Sequence, residues 1–163
     1  MVKLLTDIRG NVLIETSIIL PFLVIAVFGV VDITAVVRAK RSIESASFIV
    51  GEAIRYNRDF NPTTNQSNLW SSVFYPSLGG LAESNSEIRV TRITYINNAP
   101  VVDWSIANRG SVPSFNIGSV SANAFSNGST IYIVDSSFRF SKLASQWLVG
   151  SFSISSKKIH SGT

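Results

Sequence analysis

Residues 11–37 read NVLIETSIILPFLVIAVFGVVDITAVV, and no charge falls between Glu15 and Asp32. A helix rises about 1.5 Å per residue, so the roughly 26 residues from Val12 to Val37 exceed the length needed for the ~30 Å hydrocarbon core of a bilayer. Leu, Ile, Val and Phe occupy every face of that helix. A helix lying on a soluble core would instead carry one apolar stripe. The stretch reads as a membrane span. A removable secretory signal is the competing reading, and the basic Lys3 and Arg9 suit it. The apolar run is longer than the roughly 7–15 residues of such a signal, however, and no small-x-small pattern follows before Arg38, so a retained anchor is expected.

Outward from this segment the composition changes. Charged residues make up 15% of the 163-residue chain and hydrophobic ones 45%, with the apolar excess concentrated in the span. The net charge of +4 comes mainly from Arg38, Lys40 and Arg41 beside the span and from Lys157 and Lys158 near the end. Nucleic-acid binding calls for a basic face interleaved with aromatics. These cations flank an apolar run instead, as membrane-edge residues do, and no nucleic-acid partner is expected. The absence of cysteine excludes disulfides, thiolate metal sites and cysteine nucleophiles.

Two residues inside the span need a reason. Pro21 lacks an N–H and is expected to kink the helix. Glu15 puts a carboxylate at the head of an apolar run, where insertion costs around 3 kcal/mol at mid-membrane and less near an interface. A cut after Gly10 turns Asn11 into a free α-amine one helical turn before Glu15. A carboxylate there is favoured by the helix N-terminus and by the new positive charge, its own or a neighbouring subunit's. The alternative is an interfacial acid that caps its own helix. A short polar leader, a glycine, a glutamate five residues on and an apolar helix form the type IV pilin pattern.

Arg9-Gly10-Asn11-Val12-Leu13-Ile14-Glu15, then Leu20-Pro21-Phe22-Leu23, then Phe28-Gly29-Val30-Val31-Asp32, resembles the TadE-like family, minor pseudopilins of tight-adherence (Tad, or Flp) pilus systems. Arg38 and the Ser- and Ala-containing stretch Ser42 to Gly51 fit the family's continuation, so the resemblance covers about residues 9–51. Thr16 stands where the family often has an aromatic, and Val12, Leu13 and Ile14 are bulkier than its usual small residues. The resemblance implies cleavage between Gly10 and Asn11 by a prepilin peptidase. It further implies retention in the bacterial inner membrane, with the C-terminal domain periplasmic or extracellular, and partners among other Tad/Flp pilins and assembly-platform proteins. For Glu15 it implies pairing with a mature N-terminal amine. The basic residues point the other way on orientation. Arg38, Lys40 and Arg41 outnumber Lys3 and Arg9, and by count alone the positive-inside rule puts the C-terminal domain in the cytoplasm.

The expected organisation is therefore a leader over residues 1–10, a transmembrane helix over 11–37 and a pilin-like α+β domain over 38–163. Ile43, Ala46, Ile49 or Val50, and Ala53 or Ile54 recur at helical spacing until Asn61-Pro62, which makes the second half of a long helix amphipathic. Pro62 to Asn68 reads as a loop, and Leu69 to Tyr75 as a short helical or irregular apolar piece ending at Pro76, with Gly79-Gly80 as a further break. Glu87–Ile96 and Val101–Ile106 make a hairpin through Asn97-Asn98. A Ser/Asn/Gly-rich loop follows from Ala107 to Gly128, then strands over Thr130–Phe140 and Leu148–Ser155. The architecture expected is a small antiparallel sheet packed on the long helix.

No enzyme is expected. The single histidine, His160, falls in a polar tail, the carboxylates lack metal-ligand spacing, and Gly79-Gly80 carries neither a Walker lysine nor a Rossmann triplet. No cofactor or metal is called for. Trp70, Trp104 and Trp147 read as core or rim aromatics, and the triplets beginning at Asn65 and Asn127 carry no weight as glycosylation sites. A second functional reading stays open: a single-pass tether whose soluble domain binds a partner or ligand through the Ser/Asn-rich loop.

Overall fold

The computed structural model describes residues 8–57, 60–97, 99–109, 126–140 and 153–162. It is an α+β fold with a long N-terminal helix, α1 (Ile8–Tyr56), packed on a four-stranded antiparallel sheet. Its described residues fall into two units, one holding the helix up to residue 37 and the other holding residues from 38 onward.

In the first unit α1 continues through Pro21 without an interruption in its helical assignment. A proline in a helix leaves the carbonyl four residues back, here that of Ser17, without its usual donor. Apolar side chains are exposed all round the helix between Val12 and Val37, as at Leu13, Phe22 and Val30.

In the second unit the same helix has one buried stripe, made by Ala39, Ile43, Ala46, Val50 and Ile54. These positions recur at three- and four-residue steps, the spacing that keeps side chains on one face. Where the sequence left Ile49 and Val50 as alternatives, Val50 is fully buried and Ile49 is exposed. A helical return follows: α2 (Gln66–Asn68), a π-helical turn (Leu69–Phe74) and α3 (Tyr75–Ser77). Helix therefore begins inside the stretch expected to be loop, and it runs past Pro76, which is tolerated in the first turn of α3. Leu69, Trp70, Phe74 and Leu78 bury their side chains here. Gly79 and Gly80 then turn the chain with positive φ, and a Cβ on Gly79 would come within 3.0 Å of Ser42 Oγ. The return thus ends beside the start of the α1 stripe.

The strands are β1 (Ser86–Ile96), β2 (Ala99–Ala107), β3 (Thr130–Arg139) and β4 (Ser153–Ser161), in the order β2-β1-β3-β4. The tight β1–β2 turn has Asn97 at φ 54°, a left-handed value that asparagine tolerates better than most residues. Its amide donates to Asn127 Oδ1 at 2.9 Å, and Gly128 N–H donates to the Tyr95 carbonyl at 2.7 Å, so the turn that opens β3 is tied to the end of β1. Asn108 carries the β1–β2 ladder one step further, accepting from Ile88 N–H and donating to the Ser86 carbonyl. A bulge in β2 adds Asp103 between Val102 and Trp104. Asp103 forms an ion pair with Arg92 at 3.1 Å and accepts from Thr94 Oγ1 at 2.6 Å.

Residues paired across a ladder share a sheet face. One face holds Ser86, Ile88 and Val90 of β1 with Phe138, Ser136 and Val134 of β3, all buried. The Ser47 and Ser136 hydroxyls lie 2.5 Å apart, so this is the face that α1 covers. The opposite face holds Thr91, Ile93 and Tyr95 with Ile131 and Ile133, all fully buried. The central strands are thus buried on both sides, which explains the runs of β-branched residues in β1 and β3.

The last strand departs from the sequence expectation. The described strand, Ser153–Ser161, overlaps the expected Leu148–Ser155 at residues 153–155 and continues six residues beyond it, and residues 148–152 of that expectation lie outside the described residues. Trp147 and residues 110–125 of the expected loop lie outside them too. Truncating Ile88 to alanine is expected to cost about 2–5 kcal/mol in urea unfolding of the detergent-solubilised chain, whereas the exposed Ile159 should change it by less than about 0.5 kcal/mol.

Candidate functional site

The sequence-derived site residues Gly10, Asn11, Glu15 and Pro21 all lie within α1. Asn11 and Glu15 are four residues apart, one turn along the same helix face. Glu15 is exposed, with no hydrogen-bond or ion-pair partner among the described residues. The nearby hydroxyls behave differently. Thr16 Oγ1 donates to the Val12 carbonyl and Ser17 Oγ to the Leu13 carbonyl, both at 2.7 Å, and Thr34 Oγ1 donates to the Val30 carbonyl at 2.8 Å. Each polar side chain that can fold back onto the backbone does so, which suits a helix in a medium that offers no hydrogen bonds. Glu15 cannot, because a carboxylate has no proton to give a carbonyl.

From Val12 to Val37 the burial pattern is inverted relative to a water-soluble helix. The one buried residue is Asp32, with 8% of its surface exposed, while Leu13 and Phe22 are about 70% exposed. An apolar surface this continuous is larger than water-soluble monomers ordinarily present. By length and composition α1 is long and apolar enough to cross a membrane once.

A second cluster lies in the other unit, at a residue that the sequence places in a polar tail. That residue, His160, sits in edge strand β4 opposite Tyr132 and is buried against α1. Its Nδ1 lies 3.1 Å from Glu52 Oε1, and its ring centroid is 5.5 Å from that of Phe48. Nε2 has no partner among the described residues and packs on Gly51, where an added Cβ would overlap the ring. The ring proton is therefore best placed on Nδ1, the nitrogen with an acceptor. Glu52 also faces Arg55 at 3.5 Å. One sequence signal pointed here: an isolated glycine in a helical stretch, which marks a close approach.

On the sheet face away from α1, Asp135 lies between Arg89 of β1 and Lys157 of β4 in register. Burial pushes its carboxyl above the usual carboxylate range, and the charges of Lys157 and Arg89 oppose that rise. No group of three or more metal-ligating side chains occurs among the described residues.

No family model, curated protein or solved structure matches the chain. Its functional reading therefore rests on residues and geometry.

Gly51→Ala should force the His160 ring off α1 and loosen β4. Hydrogen exchange of the amides of residues 153–161 is expected to accelerate at least tenfold while β1 amides stay protected. Unchanged β4 protection would contradict the packing described. For Asp135 the raised folded-state pKa means that the folded chain binds its proton more tightly than the unfolded chain. Its contribution to stability is thus greatest below the unfolded pKa and declines as pH rises through the folded one. Asp135→Asn should remove that part of the decline, read as a smaller fall in melting temperature than wild type between acidic and neutral pH.

Proposed function

We propose that the chain is a minor pseudopilin of the TadE-like kind, acting in assembly of a Tad/Flp-type pilus. In this reading a prepilin peptidase cuts between Gly10 and Asn11, residues 11–37 hold the product in the bacterial inner membrane, and the domain over 38–163 stands on the periplasmic or extracellular side. Its partners are the bilayer, the peptidase, other pilins and the assembly platform.

The observation that carries the proposal is the carboxylate of Glu15, unpaired among the described residues on an otherwise uncharged exterior, one turn after the cut position. Left alone in lipid it is a cost with no return. Facing an α-amine at Asn11, on its own helix or on the next subunit, it becomes half of an ion pair whose attraction grows as the dielectric falls. The same ion pair then serves as a register mark during subunit addition.

A second reading, a membrane tether with a binding domain, is favoured by an open groove of about 330 Å³ whose lining mixes Asn57, Asn65, Asn68 and Ser72 with Ala53, Phe60, Leu69 and Val73. Amide and hydroxyl groups beside apolar side chains suit a ligand with both polar and apolar parts.

N-terminal sequencing of membrane-extracted protein separates the two readings. A start at Asn11 supports the pseudopilin, and a start at Met1 supports the tether. Gly10→Leu is expected to abolish the cut, and Glu15→Ala to leave insertion intact while lowering piliation at least tenfold. Normal piliation in Glu15→Ala would refute the pairing role. A reporter active only in the periplasm, fused after Thr163, should be active; an inactive fusion places the domain in the cytoplasm and overturns the proposed topology.

A further inference from the structure

We infer that Arg38, Lys40 and Arg41 form a cationic collar that selects anionic phospholipid headgroups around the end of the apolar segment. The inference rests on the membrane reading above and adds to it the class of lipid that the chain selects.

All three side chains are exposed, and none has an ion-pair or hydrogen-bond partner among the described residues. Glu44, one turn further on, forms no ion pair with them there. The residue between them, Ala39, is buried with 1% of its surface exposed. Successive residues turn by about 100° around a helix. Taking Ala39 as the inward direction, Arg38 and Lys40 then project to either side and Arg41 points nearly opposite. Every outward direction at this turn thus carries a positive charge, while the inward one carries a methyl group.

The depth also matches. Arg38 follows Val37 directly, and the three cations span about 4.5 Å along the axis. The headgroup layer on each side of a bilayer is roughly 5–7 Å thick, so a span ending at Val37 sets all three within it. Arginine supplies planar, bidentate donors to phosphate and lysine a mobile point charge. An anionic phosphodiester whose headgroup has no compensating amine complements the set. A zwitterionic lipid brings its own cation and is favoured less.

The test uses the full chain reconstituted in phosphatidylcholine vesicles containing a minority of phosphatidylglycerol. Spin-labelled forms of each lipid report their relative association with the protein. A cation at an anionic surface is worth about fivefold in preference, so wild type should favour phosphatidylglycerol at least about fivefold. The triple variant Arg38→Gln, Lys40→Gln, Arg41→Gln should fall to about equal association. The charge-preserving pair Arg38→Lys, Arg41→Lys should keep the preference. Resistance to alkaline carbonate extraction is measured on each protein. A wild type that carbonate extracts overturns the membrane reading and the collar with it. An inserted wild type without lipid preference, or an inserted triple variant that keeps it, overturns the collar alone.

Discussion

The fold depends on how one helix meets two different surroundings. Between Val12 and Val37 α1 offers apolar side chains in every direction, and burial of such surface is worth about 25 cal/mol per Å². From Ala39 to Ile54 it offers a single stripe. The change from all-round to one-sided apolarity takes place across Val37 and Arg38, where three cations occupy the outward directions. A stripe buries itself against protein; a cylinder needs a solvent without hydrogen bonds.

Small side chains make the protein-facing half work. Ala46 and Ser47 are fully buried small residues, and the Ser47 hydroxyl meets that of Ser136 on β3. Gly51 allows the His160 ring of β4 to lie on the helix surface with Glu52 beside it. Edge strand β4 therefore has a side-chain anchor on α1 besides its ladder with β3. The other edge, β2, is blunted by Pro100 and by the Asp103 bulge, devices that discourage a further strand from pairing.

Polar groups sort by whether they can satisfy themselves. Thr16, Ser17 and Thr34 return their hydroxyl protons to the helix backbone, and Asn97, Asn108 and Asn127 complete the hydrogen bonding of strand ends. Glu15 has neither route, which makes it the residue whose purpose most needs a partner from outside the described chain. That contrast, between hydroxyls that fold back and one acid that does not, is the physical basis for reading the N-terminal segment as an assembly element.

The sequence alone determined the long helix, its apolar half and its amphipathic half, and the β1–β2 hairpin with its asparagine turn. Each is a local matter of periodicity, length or backbone tolerance, so a window of a few residues contains the signal. Glu15 stood out for the same reason, as a charge in an uncharged run. Only the tertiary structure decided that Val50 and not Ile49 faces inward, that the two central strands are buried on both faces, and that the segment containing Lys157, Lys158 and His160 is a strand. That strand reads Ser-Ile-Ser-Ser-Lys-Lys-Ile-His-Ser, with two isoleucines five positions apart, and has no periodic apolar signal of its own; it exists because β3 offers a ladder and Gly51 leaves room for one ring. Contacts of that kind join residues more than a hundred positions apart, and no local pattern encodes them.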